Sequence, residues 1–271
     1  MKIVSFNVNS LRQRLHQLER VIEKHAPEFI GLQETKVQDE EFPRDAIADL
    51  GYEVIFMGQK THYGVALLSR GACTKPVYGF PTDGPDSQKR FIGGEFDVDD
   101  ETFLIFNGYF PQGESRDHAV KFPAKQRFYQ DITALMNDYD MNRSNLVLMG
   151  DYNIAPQDLD IGIGEDNAKR WLRTGKTSFL PEEREWFDRL VALGLHDGFR
   201  LCHADEDNLF SWFDYRSRGF EREPRRGLRI DHLLVSEQLR ANVVDAGIDY
   251  DVRGMQKPSD HAPAWIELKT D

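Results

Sequence analysis

The stretch Asn145-Leu146-Val147-Leu148-Met149-Gly150-Asp151 decides the fold class, because its unbroken apolar run closes abruptly on a glycine and a carboxylate. A strand with one wet face would alternate apolar and polar residues. An unbroken run this short reads instead as a strand buried on both faces. The same pattern recurs at 2–7, 28–34, 102–109 and 229–235, each rich in Ile, Val, Leu and Phe. Helical periodicity lies between these runs: Phe128, Ile132, Leu135, Met136 and Tyr139 share one face. Pro181, Glu182 and Glu183 open a second helix carrying Trp186, Leu190 and Leu193, and Gly194 closes it. Strands interleaved with helices predict a layered α/β fold, with a doubly wound sheet and a two-sheet sandwich both open at this point.

Several of these runs end in a polar residue: Asn7, Glu34, Tyr109 and Asp151. If the strands lie side by side with level ends, those groups meet on one rim, the place where layered α/β proteins build sites. One such ending is trivial, but four groups suited to metal or phosphate chemistry are not.

At 271 residues, without low-complexity tract, linker or repeat, the chain is read as one domain spanning 1–271. Its apolar runs are far shorter than the roughly 20 residues of a membrane span. Met1 passes straight into a strand pattern, so neither a signal peptide nor a membrane partner is expected. Cys73 and Cys202 lack metal-ligand spacing and are read as reduced thiols of a cytoplasmic protein.

A net charge of −12 argues against a nucleic-acid partner for the chain as a whole. Locally the balance reverses. Lys169, Arg170, Arg173 and Lys176 fall within eight residues that hold no acid, and residues 212–229 carry six arginines against Asp214, Glu221 and Glu223. Brought to one face, these segments would form a basic footprint on an acidic body.

Five motifs resemble the exonuclease III family in identity and order. They are Gly31-Leu32-Gln33-Glu34-Thr35-Lys36, Gly108-Tyr109-Phe110-Pro111-Gln112-Gly113, Gly150-Asp151-Tyr152-Asn153-Ile154, Gly227-Leu228-Arg229-Ile230-Asp231 and Ser259-Asp260-His261-Ala262-Pro263. Residues 169–176 and 211–217 strengthen the likeness, which spans essentially the whole chain. It implies a four-layer α/β sandwich, two packed mixed β-sheets flanked by helices, with one site at an edge.

Phosphodiester hydrolysis needs an in-line nucleophile, neutralised non-bridging oxygens and help for the leaving alkoxide. Glu34 is a hard oxygen donor suited to Mg²⁺, with Mn²⁺ as a substitute and one or two ions bound. Asp151 is the candidate base and Asn153 the amide that orients it, both also beside the metal. The resemblance implies that Asp231 holds the His261 imidazole against the phosphate, that Asp260 and Asn7 serve the metal side, and that Tyr109 reaches the phosphate or leaving oxygen. It also implies a DNA-gripping segment, with Trp212, Phe213 and Arg216 its leading members and Arg218 among them. Arg90, Lys121 and Lys176, with Arg116 and Lys125, are candidate phosphate contacts.

The implied function is a monomeric, Mg²⁺-dependent repair nuclease acting on double-stranded DNA. It would cut 5′ of abasic sites and trim 3′ ends, as exonuclease and as 3′-phosphatase or phosphodiesterase. The rivals are a phosphoinositide or sphingomyelin phosphohydrolase of the same superfamily, and an inactive binding module. The charged loop 220–226 is longer than its counterpart in the sequences it resembles, so no contact is assigned to it.

Overall fold

In the computed structural model, which describes residues 1–269, twelve strands form two six-stranded mixed sheets. In chain order the strands are β1 (Lys2–Asn7), β2 (Phe29–Gln33), β3 (Glu53–Met57), β4 (Val65–Ser69), β5 (Cys73–Tyr78), β6 (Phe91–Val98), β7 (Glu101–Tyr109), β8 (Asn145–Asp151), β9 (Leu195–Asp197), β10 (Asp231–Ser236), β11 (Val243–Ile248) and β12 (Ala264–Leu268). One sheet runs β11-β12-β1-β2-β4-β3 and the other β5-β6-β7-β8-β10-β9. β1 is parallel to β2 and β7 to β8, while the remaining pairings are antiparallel.

The period-two geometry of a strand sends alternate side chains to opposite faces, and in the central strands both faces are dry. In β8, Val147 and Met149 meet Ile3, Phe29, Leu67 and Ile266 in the core between the sheets. Leu146 and Leu148 point outward to Ile132, Met136 and Leu190 of the helices Lys121–Met136 and Pro181–Val191. On the other outer face, Val4, Ile30 and Leu68 pack on Leu18 and Val21 of the helix Leu11–His25. The result is the sandwich of two sheets flanked by helices that the resemblance implied. The second helix stops at Val191 rather than running to Gly194, and Arg229 lies outside β10.

Strand register sets the site. Asp151 lies opposite Tyr109 in β7 and opposite Asp231 in β10, so three functional candidates form one row across neighbouring strands. Gly150 makes the row possible: its φ is 152°, and a Cβ there would come within 2.0 Å of the Gly108 carbonyl oxygen. In the other sheet Asn7 pairs with Gln33, which places Glu34 one residue past the strand end, in left-handed backbone with φ 52°.

Candidate active site

Asp151 is the hub of the rim. Its Oδ2 accepts from Asn7 Nδ2 at 3.0 Å and from Asn153 Nδ2 at 3.2 Å, and its Oδ1 accepts from the Asn153 backbone N–H at 3.0 Å. Asn153 takes a left-handed conformation, φ 52°, and its amide also donates to the Phe110 carbonyl at 2.9 Å. The second Asn7 contact runs from Nδ2 to Glu34 Oε1 at 2.9 Å, so one amide from β1 bridges acids carried by the two sheets. Lys36 Nζ holds Glu34 Oε2 at 2.8 Å.

His261 faces this group. Its Nδ1 meets Asp231 Oδ2 at 2.8 Å, and its Nε2 lies 3.8 Å from Asp151 Oδ2. The segment carrying His261 is fixed on both sides of the ring: Ser259 Oγ donates to the Asn7 carbonyl at 2.6 Å, and Ala262 N donates to the Ser211 carbonyl at 2.7 Å. Ser211 Oγ in turn accepts the backbone N–H groups of Ile230 and Asp231, both at 3.0 Å, setting the start of β10.

The electrostatics follow from burial and crowding. Burial pushes the Asp151 carboxyl up, and the nearby Asp231 and Glu34 charges push the same way, so that despite His261 and Asn7 it reaches about 7. Burial alone would lower the His261 imidazole, but Asp231 and Asp151 outweigh it and raise the ring well above its ordinary value. Burial also opposes ionisation of Glu34, yet Lys36 and Asn7 win and hold it below the usual range. Burial, joined by the Glu34 charge, drives the Tyr109 phenol far upward, so it stays a neutral donor.

One ligand atom each from Glu34, Asp151 and His261 lie within 4.8 Å of one another. Two hard carboxylates facing a cavity, with Asp231 beside them, give a donor set that fits a divalent cation, and the crowding that raises Asp151 is what a dication relieves. Asp260 stands apart: its Oδ1 accepts from Asn9 Nδ2 at 2.9 Å and its Oδ2 from the Trp212 indole N–H at 3.1 Å. Asn9, which also accepts from Lys36 Nζ at 2.6 Å, escaped the sequence reading. Its only signal there was the repeat of Asn two residues after Asn7.

These groups open into a cavity of about 500 Å³ that also takes in Trp171, Trp212, Arg216 and Lys176. Lys176 Nζ sits 3.7 Å over the Trp171 ring, inside the cleft. Other expected DNA contacts fall elsewhere. Phe213 is fully buried, packed edge-on against Phe220 and Tyr250, so its ring belongs to the core and not to a DNA face. Arg90 stacks beneath the Tyr109 and Tyr63 rings and donates to the Tyr109 carbonyl at 3.0 Å, supporting the tyrosine from behind. Lys121 and Arg116 are bound to Glu114 and Glu182 at the surface. Lys125 is buried against Glu183 at 2.5 Å and grips the Asn153 carbonyl at 2.8 Å.

Two mixed sheets with an acid, amide and histidine rim at one edge define a phosphoester hydrolase of the two-sheet kind. The chain belongs to the Endonuclease/Exonuclease/phosphatase family, whose pattern it matches over residues 4–261. Within that family it is a nuclease, related to exodeoxyribonuclease III. It is 54% identical over 269 residues to the exodeoxyribonuclease III of Haemophilus influenzae, covering 99% of this chain and 100% of that protein. The 3′-5′ exonuclease NExo of Neisseria meningitidis superposes with a TM-score of 0.90 at 36% identity, covering both chains fully. An AP endonuclease of Archaeoglobus fulgidus superposes at 0.89 with 30% identity, again over both full chains.

Proposed function

We propose that this chain is a metal-dependent DNA repair phosphodiesterase that nicks duplex DNA 5′ of abasic sites and trims 3′ ends, as a 3′-5′ exonuclease and as a 3′-phosphatase or phosphodiesterase. The observation that carries this reading is the row Tyr109, Asp151 and Asp231, with His261 on Asp231 and Glu34 bridged to Asp151 through Asn7.

Each group takes one task. Asp151 deprotonates the attacking water and Asn153 keeps its carboxylate in line. His261, charged through its contact with Asp231, donates from Nε2 to a non-bridging phosphate oxygen. Tyr109 offers its hydroxyl to the leaving oxygen. Glu34 and Asp151 would hold Mg²⁺, or Mn²⁺ in its place, as one ion or two, and such a cation would supply the neutralisation of phosphate charge. Asp260 acts one step removed, by fixing Asn9 and Trp212.

The lipid-phosphate rival is disfavoured by the 54% identity, over 269 residues, to an exodeoxyribonuclease. The inactive-module rival is disfavoured by the cost of burying Asp151 and Asp231 together, a cost without return unless the acids react. The chain is taken to act as a monomer and a single domain in the cytoplasm; among the described residues no helix is long and apolar enough to cross a membrane.

The test uses two labelled duplexes with Mg²⁺, one carrying a single abasic analogue and one an intact duplex with a recessed 3′ end. Incision 5′ of the analogue together with stepwise 3′ shortening is expected. No cleavage of either, with turnover of a phosphoinositide, would overturn the reading.

A further inference from the structure

The outer half of the cavity is lined by four guanidinium groups: Arg170 of the helix Glu165–Arg173, Arg216, and Arg222 and Arg226 of the charged loop. Among the described residues none of the four is paired with a carboxylate, and all four line the same cavity. On a chain with 46 acids against 34 lysines and arginines, four unpaired arginines in one cleft need an explanation. The single carboxylate on that side, Asp214, is occupied by backbone: Oδ2 accepts from Ser217 N at 3.0 Å and Oδ1 from Arg216 N at 3.4 Å.

The loop is built to hold its arginines in place. Arg226 N donates to the Gly219 carbonyl at 2.9 Å, across an approach so close that a Cβ on Gly219 would sit 2.1 Å from the Arg226 oxygen. Its guanidinium packs over Gly164, where the helix Glu165–Arg173 begins. Arg222 Nε donates to the Ser217 carbonyl at 2.9 Å. Phe220 is gripped by Phe213, Tyr250 and the Arg253 guanidinium, which anchors the loop in the core.

We propose that this half of the cavity is a second phosphate subsite, to which the charged loop contributes Arg222 and Arg226 beside Arg170 and Arg216. Resting on the reading of the chain as a DNA phosphodiesterase, it takes a non-scissile backbone phosphate of the strand being cut. Guanidinium forks match phosphate oxygens two at a time, and a group of them cancels the repulsion that an acidic body presents to DNA. The subsite makes the enzyme discriminate by chain: a polynucleotide fills it, and a small phosphodiester reaching only Asp151 and His261 does not.

The experiment compares wild type with Arg222→Gln/Arg226→Gln on the abasic duplex over a range of salt, and on bis(4-nitrophenyl) phosphate. On the duplex, KM should rise about tenfold or more, and the slope of log(kcat/KM) against log[salt] should shrink by roughly 0.9 for each phosphate that is no longer neutralised. Turnover of the small diester should stay within about twofold, because these arginines touch no reacting atom. A duplex bearing one neutral methylphosphonate, moved along the cut strand, should reproduce the loss at one flanking position, with no further loss there in the variant. Unchanged KM and salt slope, or no position at which variant and methylphosphonate overlap, overturns the subsite. So does an equal loss on both substrates, which would make the loop a support for the fold. A wild-type protein inactive on DNA but active on the small diester would instead overturn the underlying reading of the function.

Discussion

At the scale of single residues, the geometry assigns different tasks to neighbouring polar groups. In the proposed mechanism Asp151 is the base, and its carboxyl raised to about 7 suits that task, since a proton taken from water is best received by a group titrating near the working pH. The sign follows: the base works only when ionised, so kcat/KM should climb as pH rises through the Asp151 value. Added Mg²⁺, by favouring the ionised form, should move that limb to lower pH. A limb that stays put from low to saturating Mg²⁺ would separate Asp151 from the metal. Asp151→Asn keeps the shape and should cost roughly 10² to 10⁴ in rate while DNA binding survives. Asp231 and His261 share one hydrogen bond at 2.8 Å, so the single alanine variants and the double should retain similar residual rates; multiplicative losses would show two independent groups. Trp212 makes two kinds of contact with one side chain, lining the cleft and donating its N–H to Asp260. Trp212→Phe should therefore lose less abasic incision than Trp212→Ala, whose deficit reaches about ten- to a hundredfold if its flat face stacks on the substrate. Equal deficits would assign the whole effect to the Asp260 hydrogen bond.

At the scale of elements, the row across β7, β8 and β10 was partly legible, because unbroken apolar runs ending in Tyr109 and Asp151 show where strands stop. Pairing was not legible: nothing local says that β10 runs antiparallel to β8 with Asp231 opposite Asp151, since long-range register is set by packing on both faces. The same limit explains Phe213, whose aromatic neighbours Phe220 and Tyr250 arrive from distant segments, and Lys125, which reads as a surface cation yet is buried. Lys125 bridges elements. Its Nζ meets Glu183 and the Asn153 carbonyl, while Glu183 Oε2 accepts the backbone N–H of Ser178 and Leu180, both at 2.8 Å. Removing the cation alone strands a buried carboxylate, so Lys125→Met should cost about 3 to 5 kcal/mol in urea unfolding. Lys125→Met/Glu183→Leu should recover only part of that, because the two N–H groups lose their acceptor. Full recovery would mean the pair acts as charge alone and not as a clasp on the loops.

At the scale of the molecule, the site exists only because two sheets hold their rims level, Glu34 and Asn7 coming from one and Asp151 from the other. An apolar core is non-directional and sets this alignment loosely. A polar contact beneath the site sets it tightly: Asn107 of β7 donates from Nδ2 to the Leu32 and Ala66 carbonyls of the opposite sheet, both at 2.9 Å. Its Oδ1 receives Gln33 Nε2 at 2.6 Å, and Gly31 leaves the space, since a Cβ there would stand 2.9 Å from the Asn107 amide. Gln33 adjoins Glu34, so the contact reaches the proposed metal side of the rim within one residue. Asn107→Leu fills similar volume but strands these buried groups, at roughly 1 to 3 kcal/mol for each one left unsatisfied. Urea unfolding should register that loss. Activity should register something more specific: kcat at saturating Mg²⁺ should fall, and the Mg²⁺ needed for half-maximal rate should rise, as Glu34 loses its alignment with Asp151. A variant that is less stable yet keeps the wild-type kcat and Mg²⁺ requirement below its unfolding transition would show that the apolar core alone keeps the rims level.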